Sequence, residues 1–279
     1  MRQPRLAPVL RLYRSLAWIT LGRLAEAEAD LDAASVGERE PGIPALLGFD
    51  VMLHATRASV AALRGEVALV AASHVAALGS AEDDGLPFQA LVAFVHGAAQ
   101  HTWLHEWDQA EAFAARASAL AQPFRIEYLE VLAELVAAGA RMRREPDAEI
   151  DRFESLLCRR ARLNEHSWDS LFLGWLAEAY LSVGDGRHAR ERIEAALAVD
   201  ELSFRSECWR IKGHVLVATT AGEEAGACFA RAVEIAEEQG ARAFALRAAT
   251  DWAAFLRAKR NRTKAVDVLE RVIAAGPRP

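Results

Sequence analysis

The sequence predicts an all-α protein, a right-handed superhelical α-solenoid of about seven helical hairpins, and three observations lead there. Apolar and small residues recur at helical spacing almost throughout, and no stretch alternates as a strand between hairpin turns. The pattern repeats about every forty residues, and a fixed period of that size marks a repeat architecture. Anchored on the turn residues Gly22, Gly65, His105, Glu145, Gly184, Thr220 and Arg260, the units are spaced by 43, 40, 40, 39, 36 and 40 residues. Seven positions before each anchor stands a small residue: Ser15, Ala58, Ala98, Ala138, Ala177, Gly213 or Ala253. Two helices that cross near a shared turn need small side chains there, because a larger one would hold the backbones apart.

The hairpins are predicted at about 6–36, 44–79, 86–121, 125–160, 166–199, 203–239 and 240–274, within one domain over 1–279. The first turns at Gly22 in LAWITLGRLAEAEADLDAA, the second at Gly65 in RASVAALRGEVALVAASHVAAL, and the third at His105 in GAAQHTWLHEWDQAEAFAARASAL. The fourth fits worst, because Glu134, Arg141 and Glu154 fall where the others are apolar, and a shift of one residue would relieve this. Pro146, with Asp147 and Glu149 after it, is still a sound helix start. LAEAYLSVGDGRHARERIEAALAV supplies the fifth. In the sixth, GHVLVATTAGEEAGACFARAVEIA, Ala225 and Ala232 mark helix crossings, Phe229 and Ile235 fill the core, and Gly240 stops the helix in a left-handed conformation. WAAFLRAKRNRTKAVDVLERVIA makes the seventh. Loops such as SVGEREPGIP and GSAEDDGLP have the Gly, Pro and acidic composition of turns.

Hydrophobic residues make up 52% of the 279, ample for a core. A net charge of −6 argues against nucleic acid as a direct partner, since phosphate binding needs concentrated positive charge. The charge is uneven: residues 1–23 carry five Arg and no acid, residues 257–279 carry seven Lys or Arg against two acids, and the stretch between is acidic. An acidic solenoid attracts basic peptides. Cys158, Cys208 and Cys228 have no zinc or redox spacing and fit a reduced cytoplasm. Three Lys against thirty Arg, with abundant Ala, fit a GC-rich bacterial genome. The start, broken by Pro8 and Arg11, is no secretory signal. The uncharged run Leu86 to Leu104 contains Gln89, His96, Gln100 and His101, so it reads as a buried helix and no membrane partner is expected.

WLAEAYLSVGDGRHARERIEAAL and GHVLVATTAGEEAGACFARAVEIA resemble the tetratricopeptide repeat (TPR), although the period is longer than its usual 34 residues. Over CWRIKGHVLVATTAGEEAGACFARAVEIAEEQGARAFALRAATDWAAFL the chain looks like the C-terminal TPR region of bacterial multidomain signalling ATPases, where such repeats follow an ATPase module. The resemblance implies a regulatory or scaffolding role in signal transduction. No G-x-x-x-x-G-K-[ST] loop is present, and Lys212, Lys259 and Lys264 lie in no Gly-rich loop, so ATP hydrolysis does not carry over. The expectation is the sensor or scaffold part alone, a stand-alone relative or a fragment of a longer regulator.

Nothing in the sequence points to an enzyme, a cofactor or a metal. His101 and His105 are four apart near Glu106 and Asp108, but H-E-x-x-H is absent and His101 falls at a core position. There is no G-x-S-x-G elbow. Superhelical repeats present their first helices on the inner surface. There the helical phase collects Glu178, Glu207, Arg210, His214, Arg247, Thr250 and Arg257 in repeats five to seven, with Trp175 one residue away. Repeats one to three place Val9, Leu12, Leu16, Ile19, Met52, Val92 and Val95 there instead. The first set reads as a polar binding surface in which Arg210 and Arg247 could clamp a carboxylate or phosphate. The second reads as an apolar N-terminal face open to self-association or to a covering segment. A protein or peptide partner is expected, with a small-molecule or peptide sensor as the alternative.

Overall fold

A computed structural model of the chain describes residues 6–36, 48–83, 85–219 and 224–275. The anchor Thr220 and most of the loop SVGEREPGIP lie outside the described residues. Those described are helical with no strand among them. The helices are α1 (Ala7–Thr20), α2 (Leu24–Ser35), α3 (Phe49–Arg64), α4 (Val67–Asp83), α5 (Pro87–Trp103), α6 (Trp107–Ala121) and α7 (Glu127–Met142). They continue as α8 (Pro146–Arg162), α9 (Asp169–Ser182), α10 (Gly186–Ala198), α11 (Arg205–Thr219), α12 (Ala225–Gln239), α13 (Arg242–Ala258) and α14 (Arg262–Ala274).

Five of the turns that separate paired helices share one chemistry. Gly22, Gly65, His105, Gly184 and Arg260 all have left-handed backbones, with φ from 62° to 82°. The residue after each gives its N–H to a carbonyl five positions back: Arg23 to Trp18 at 2.8 Å, Glu66 to Ala61 at 2.9 Å, Glu106 to His101 at 2.9 Å, Asp185 to Tyr180 at 2.9 Å and Asn261 to Leu256 at 2.9 Å. This is the Schellman closure, which satisfies carbonyls that a helix end would leave unpaired. Gly240 ends α12 in the same way, with φ 70°. The fourth turn, at Glu145, contains no left-handed residue.

The contacts divide the chain into two compact units, Met1–Arg144 with Asp151–Glu165, and Glu145–Ile150 with His166–Pro279. In the first unit α1 packs on α2, α3 on α4 and α5 on α6, and the first helix of each pair also meets the first helix of the next. In the second, α9, α11 and α13 neighbour one another in sequence while pairing with α10, α12 and α14. Every small residue seven positions before an anchor is buried; Ala58, Ala98, Ala138 and Ala177 are at 0% exposure. Gly213 shows why: a Cβ there would stand 2.6 Å from the Phe229 ring, and one at Gly97 would stand 2.6 Å from Phe113. In α8 Leu157 is only half-buried, and Phe153 and Leu156 hold the core. The awkward Glu134 faces Arg152 at 3.8 Å and Arg159 at 3.9 Å.

The uncharged run expected as a buried helix is α5, which buries Leu91, Phe94, Val95 and Ala98. Among the described residues no helix is long and apolar enough to cross a membrane.

Candidate functional site in the second unit

Three first helices of the second unit bring the polar residues together. On α11, Glu207, Arg210 and His214 follow at spacings of three and four, so one face carries all three. On α13, Arg247 and Asp251 are four apart, and α9 contributes Glu178. Arg210 sits at the centre. Its Nε donates to Glu207 Oε2 at 3.2 Å, its Nη1 to Asp251 Oδ2 at 2.8 Å and its Nη2 to Glu178 Oε1 at 2.7 Å. Arg247 Nη1 reaches the same Glu207 oxygen at 2.9 Å, and His214 Nε2 lies 2.7 Å from Asp251 Oδ2.

Exposure grades across the cluster. The side chains of Arg210 and Glu207 are each 7% exposed, Glu178 17%, Arg247 18%, Asp251 25% and His214 37%. The centre is thus dry and the α11–α13 edge is wet. Burial alone would discourage charge on Arg210, but Glu207, Glu178 and Asp251 together hold its protonated form firmly in place. Burial pushes the Asp251 carboxyl up, and the His214 hydrogen bond and the Arg210 charge outweigh that, leaving it below its ordinary value. Apolar neighbours fix the edge: the His214 ring meets Phe229 edge-on at 5.1 Å, and the Arg247 guanidinium lies 5.4 Å from the Phe244 ring centre.

The geometry redefines two of the expected roles. Arg210 turns each of its three nitrogens to a carboxylate of the chain and is 7% exposed, so it is committed within the protein rather than offered to an arriving carboxylate or phosphate. Trp175 is 4% exposed, with its ring 5.3 Å from Phe172; it is a core side chain and offers no open face. Thr250 and Arg257 are exposed on α13. Asp251 was absent from the residues picked out in the sequence, although its place four after Arg247, with opposite charge, is a legible signal.

The apolar set in the first unit is less of a surface than the sequence suggested. Leu12, Ile19 and Val95 are 3%, 9% and 0% exposed and belong to the core. Val9, Leu16 and Met52 are half-buried and line a small apolar crevice with Leu12, Tyr13 and Phe49, while Leu10 and Tyr13 stand exposed at 67% and 57%.

The histidines of the first unit form packing and hydrogen-bonding groups. His101 Nδ1 lies 2.7 Å from Glu106 Oε2, and its ring packs 4.8 Å from Phe113 and 5.0 Å from His74. His105 occupies the exposed turn beside Trp107. Gln100 gives its amide nitrogen to Ala55 O at 2.7 Å and Ser59 Oγ at 2.8 Å, which leaves its oxygen to accept from His74 Nε2 at 2.6 Å. Among the described residues no group of three or more His, Cys, Asp or Glu lies close enough to hold a metal ion. Burial raises the Cys208 thiol far above its ordinary range, which removes it as a nucleophile.

No protein-family model matches this chain, and no curated protein matches it.

Proposed function

We propose that the chain is a non-enzymatic interaction module, a TPR-like solenoid of about seven hairpins in which the charged face of α9, α11 and α13 holds an extended polypeptide. The observation that carries this reading is the graded cluster around Arg210: its dry centre fixes three helices in register, and its wet edge presents His214, Asp251 and Thr250 to a partner. An extended backbone alternates N–H donors and C=O acceptors. Carboxylates at Asp251 and Glu178 suit the donors, and Arg247 and His214 suit the acceptors. The repeat period, the left-handed turns and the small residues at helix crossings support the solenoid part, because such units bury a continuous core only by stacking on their neighbours. A role as the sensor or scaffold arm of a bacterial signalling system, in the cytoplasm, follows from the resemblance to the repeat region of signalling ATPases. A sensor for a small ligand is the second reading, favoured by the water-accessible edge at His214 and Asp251.

Selection of a random peptide library on the purified chain, repeated on Thr250→Arg, tests the proposal. Thr250 is exposed and its hydroxyl bonds only its own helix, to Leu246 O at 2.8 Å, so the variant alters the surface and spares the cluster. Enriched peptides should lose about tenfold or more in affinity for the variant. No enrichment, or peptides indifferent to Thr250→Arg, overturns the polypeptide reading.

A further inference from the structure

At other turns of this protein cations meet carboxylates close by. Arg23 pairs with Glu26 and Arg144 with Glu111, while Arg64 Nη1 lies 2.7 Å from Glu28 Oε1 and Arg187 Nη1 2.8 Å from Glu191 Oε1. The turn between α13 and α14 departs from this. Within RAKRNRTK, residues 257–264, stand Arg257, Lys259, Arg260, Arg262 and Lys264, with no Asp or Glu. All five are exposed, and among the described residues none of them forms an ion pair. Lys259 Nζ stands 5.8 Å from the Phe255 ring centre and Lys264 Nζ 5.4 Å from that of Trp252, so aromatic rings of α13 hold both ammonium groups at the turn.

This patch is continuous with the polar face of the second unit. Thr250, Ala254 and Arg257 follow on α13 at spacings of four and three and are all exposed, so one line leads from the wet edge of the Arg210 cluster to the turn. From Thr250 to Arg257 the helix rises about 10 Å, a distance that an extended polypeptide covers in about three residues.

We propose that the α13–α14 turn binds a run of acidic residues in a polypeptide partner, an inference that rests on the polypeptide reading of the α9, α11 and α13 face and adds a charge to one end of the bound chain. Charge complementarity decides the occupant. Five cations without a counter-charge repel a basic segment, and an uncharged one would strip their water without replacing it. Three of the five are arginines, whose forked donors match carboxylates. A phosphate polymer or an anionic membrane extends beyond the turn, and there it would meet Asp267 and Glu270, both exposed on α14, and the acidic stretch that fills the chain before residue 257. A short acidic run reaches the five cations and stops before those like charges. Its place is about three residues along from the part of the partner held beside Thr250.

Titration of the full chain with a labelled oligoglutamate peptide tests this, beside a single-stranded oligonucleotide of equal charge and phosphatidylglycerol vesicles. The peptide should bind, and more weakly as salt rises. Arg262→Glu puts an acid in the first turn of α14, where the helix start favours it, so the fold should hold while affinity falls about tenfold or more. Arg260→Gly relaxes a left-handed residue, so it should keep or raise the melting temperature and still lose about threefold in affinity; that separates a lost contact from a damaged fold. Arg187→Gln, which removes an exposed cation of α10, should change nothing. Thr250→Arg should keep oligoglutamate binding, so a failure of the groove reading and a failure at the turn are read apart. No binding of oligoglutamate, binding indifferent to Arg262→Glu and Arg260→Gly, or tighter binding of the oligonucleotide or the vesicles would each overturn the proposal.

Discussion

Glycine gives opposite outcomes at different places in this chain, and the space around each residue decides the sign. Gly213→Ala and Gly97→Ala press a methyl group into Phe229 and Phe113 and should destabilise by about 1–3 kcal/mol. Gly79→Ala meets open space, so it should stabilise by up to about 1 kcal/mol. Arg260 holds a left-handed turn position with φ 62°, where Gly fits better, so Arg260→Gly should stabilise by about 0.5–1 kcal/mol. Urea unfolding of the four variants reads all of these signs. Two histidines contribute to the acid side of stability. Burial pushes His96 down to about 4 and also lowers His74, though its bond to Gln100 resists. A histidine with a depressed pKa in the fold binds its proton more tightly when unfolded, so its contribution is complete above about pH 6.5 and is lost as pH falls toward 4. Unfolding free energy should therefore drop over that window, and His96→Gln should flatten part of the drop; an unchanged slope would remove His96 as a cause.

Among elements, the pairing of α9, α11 and α13 depends on a charge that cannot be left alone. Arg210→Met removes the charge that Glu178, Glu207 and Asp251 share, with only Glu207 still met by Arg247 and Asp251 by His214, and should cost about 3–5 kcal/mol, the range expected when one partner of a buried ion pair is removed. Thr250→Arg, on the exposed face of α13 beside Asp251, should change stability by less than about 0.5 kcal/mol. Comparing the two by thermal unfolding separates the structural part of the cluster from its surface. Much of this was legible in the sequence, because small residues at fixed offsets from a turn report helix crossings directly: Ala58, Ala98 and Ala177 are all fully buried. Glu178, Glu207, Arg210, His214 and Arg247 were also placed on a common face by helical phase alone. Which of them would be buried was not legible. Arg210 is buried because Asp251 of α13 and Glu178 of α9 close on it from both sides, and that is a property of neighbouring helices rather than of the α11 sequence. Helix α8 misled for a related reason. Its partner surface on α7 carries Glu134, and Arg152 and Arg159 pair with it, so apolar periodicity no longer marks the core register.

At the scale of the molecule, surface charge sorts the chain's faces by role. The second unit gathers opposite charges from α9, α11 and α13 in a cluster with one wet edge, whereas α4 in the first unit exposes a face without charge until its last turn. The first face is the one proposed to bind a polypeptide, and the second lies on another unit of the chain, so substitutions on the two should act separately. Val75→Glu, on the exposed face of α4, should leave peptide affinity within about twofold of wild type, whereas Thr250→Arg should weaken it. Amide chemical-shift mapping with a peptide recovered by selection addresses the central claim most directly. The account predicts perturbations centred on Glu178, Arg210, His214, Thr250 and Asp251, with α4 unmoved. Perturbations confined to other helices, with those five residues silent, would contradict it.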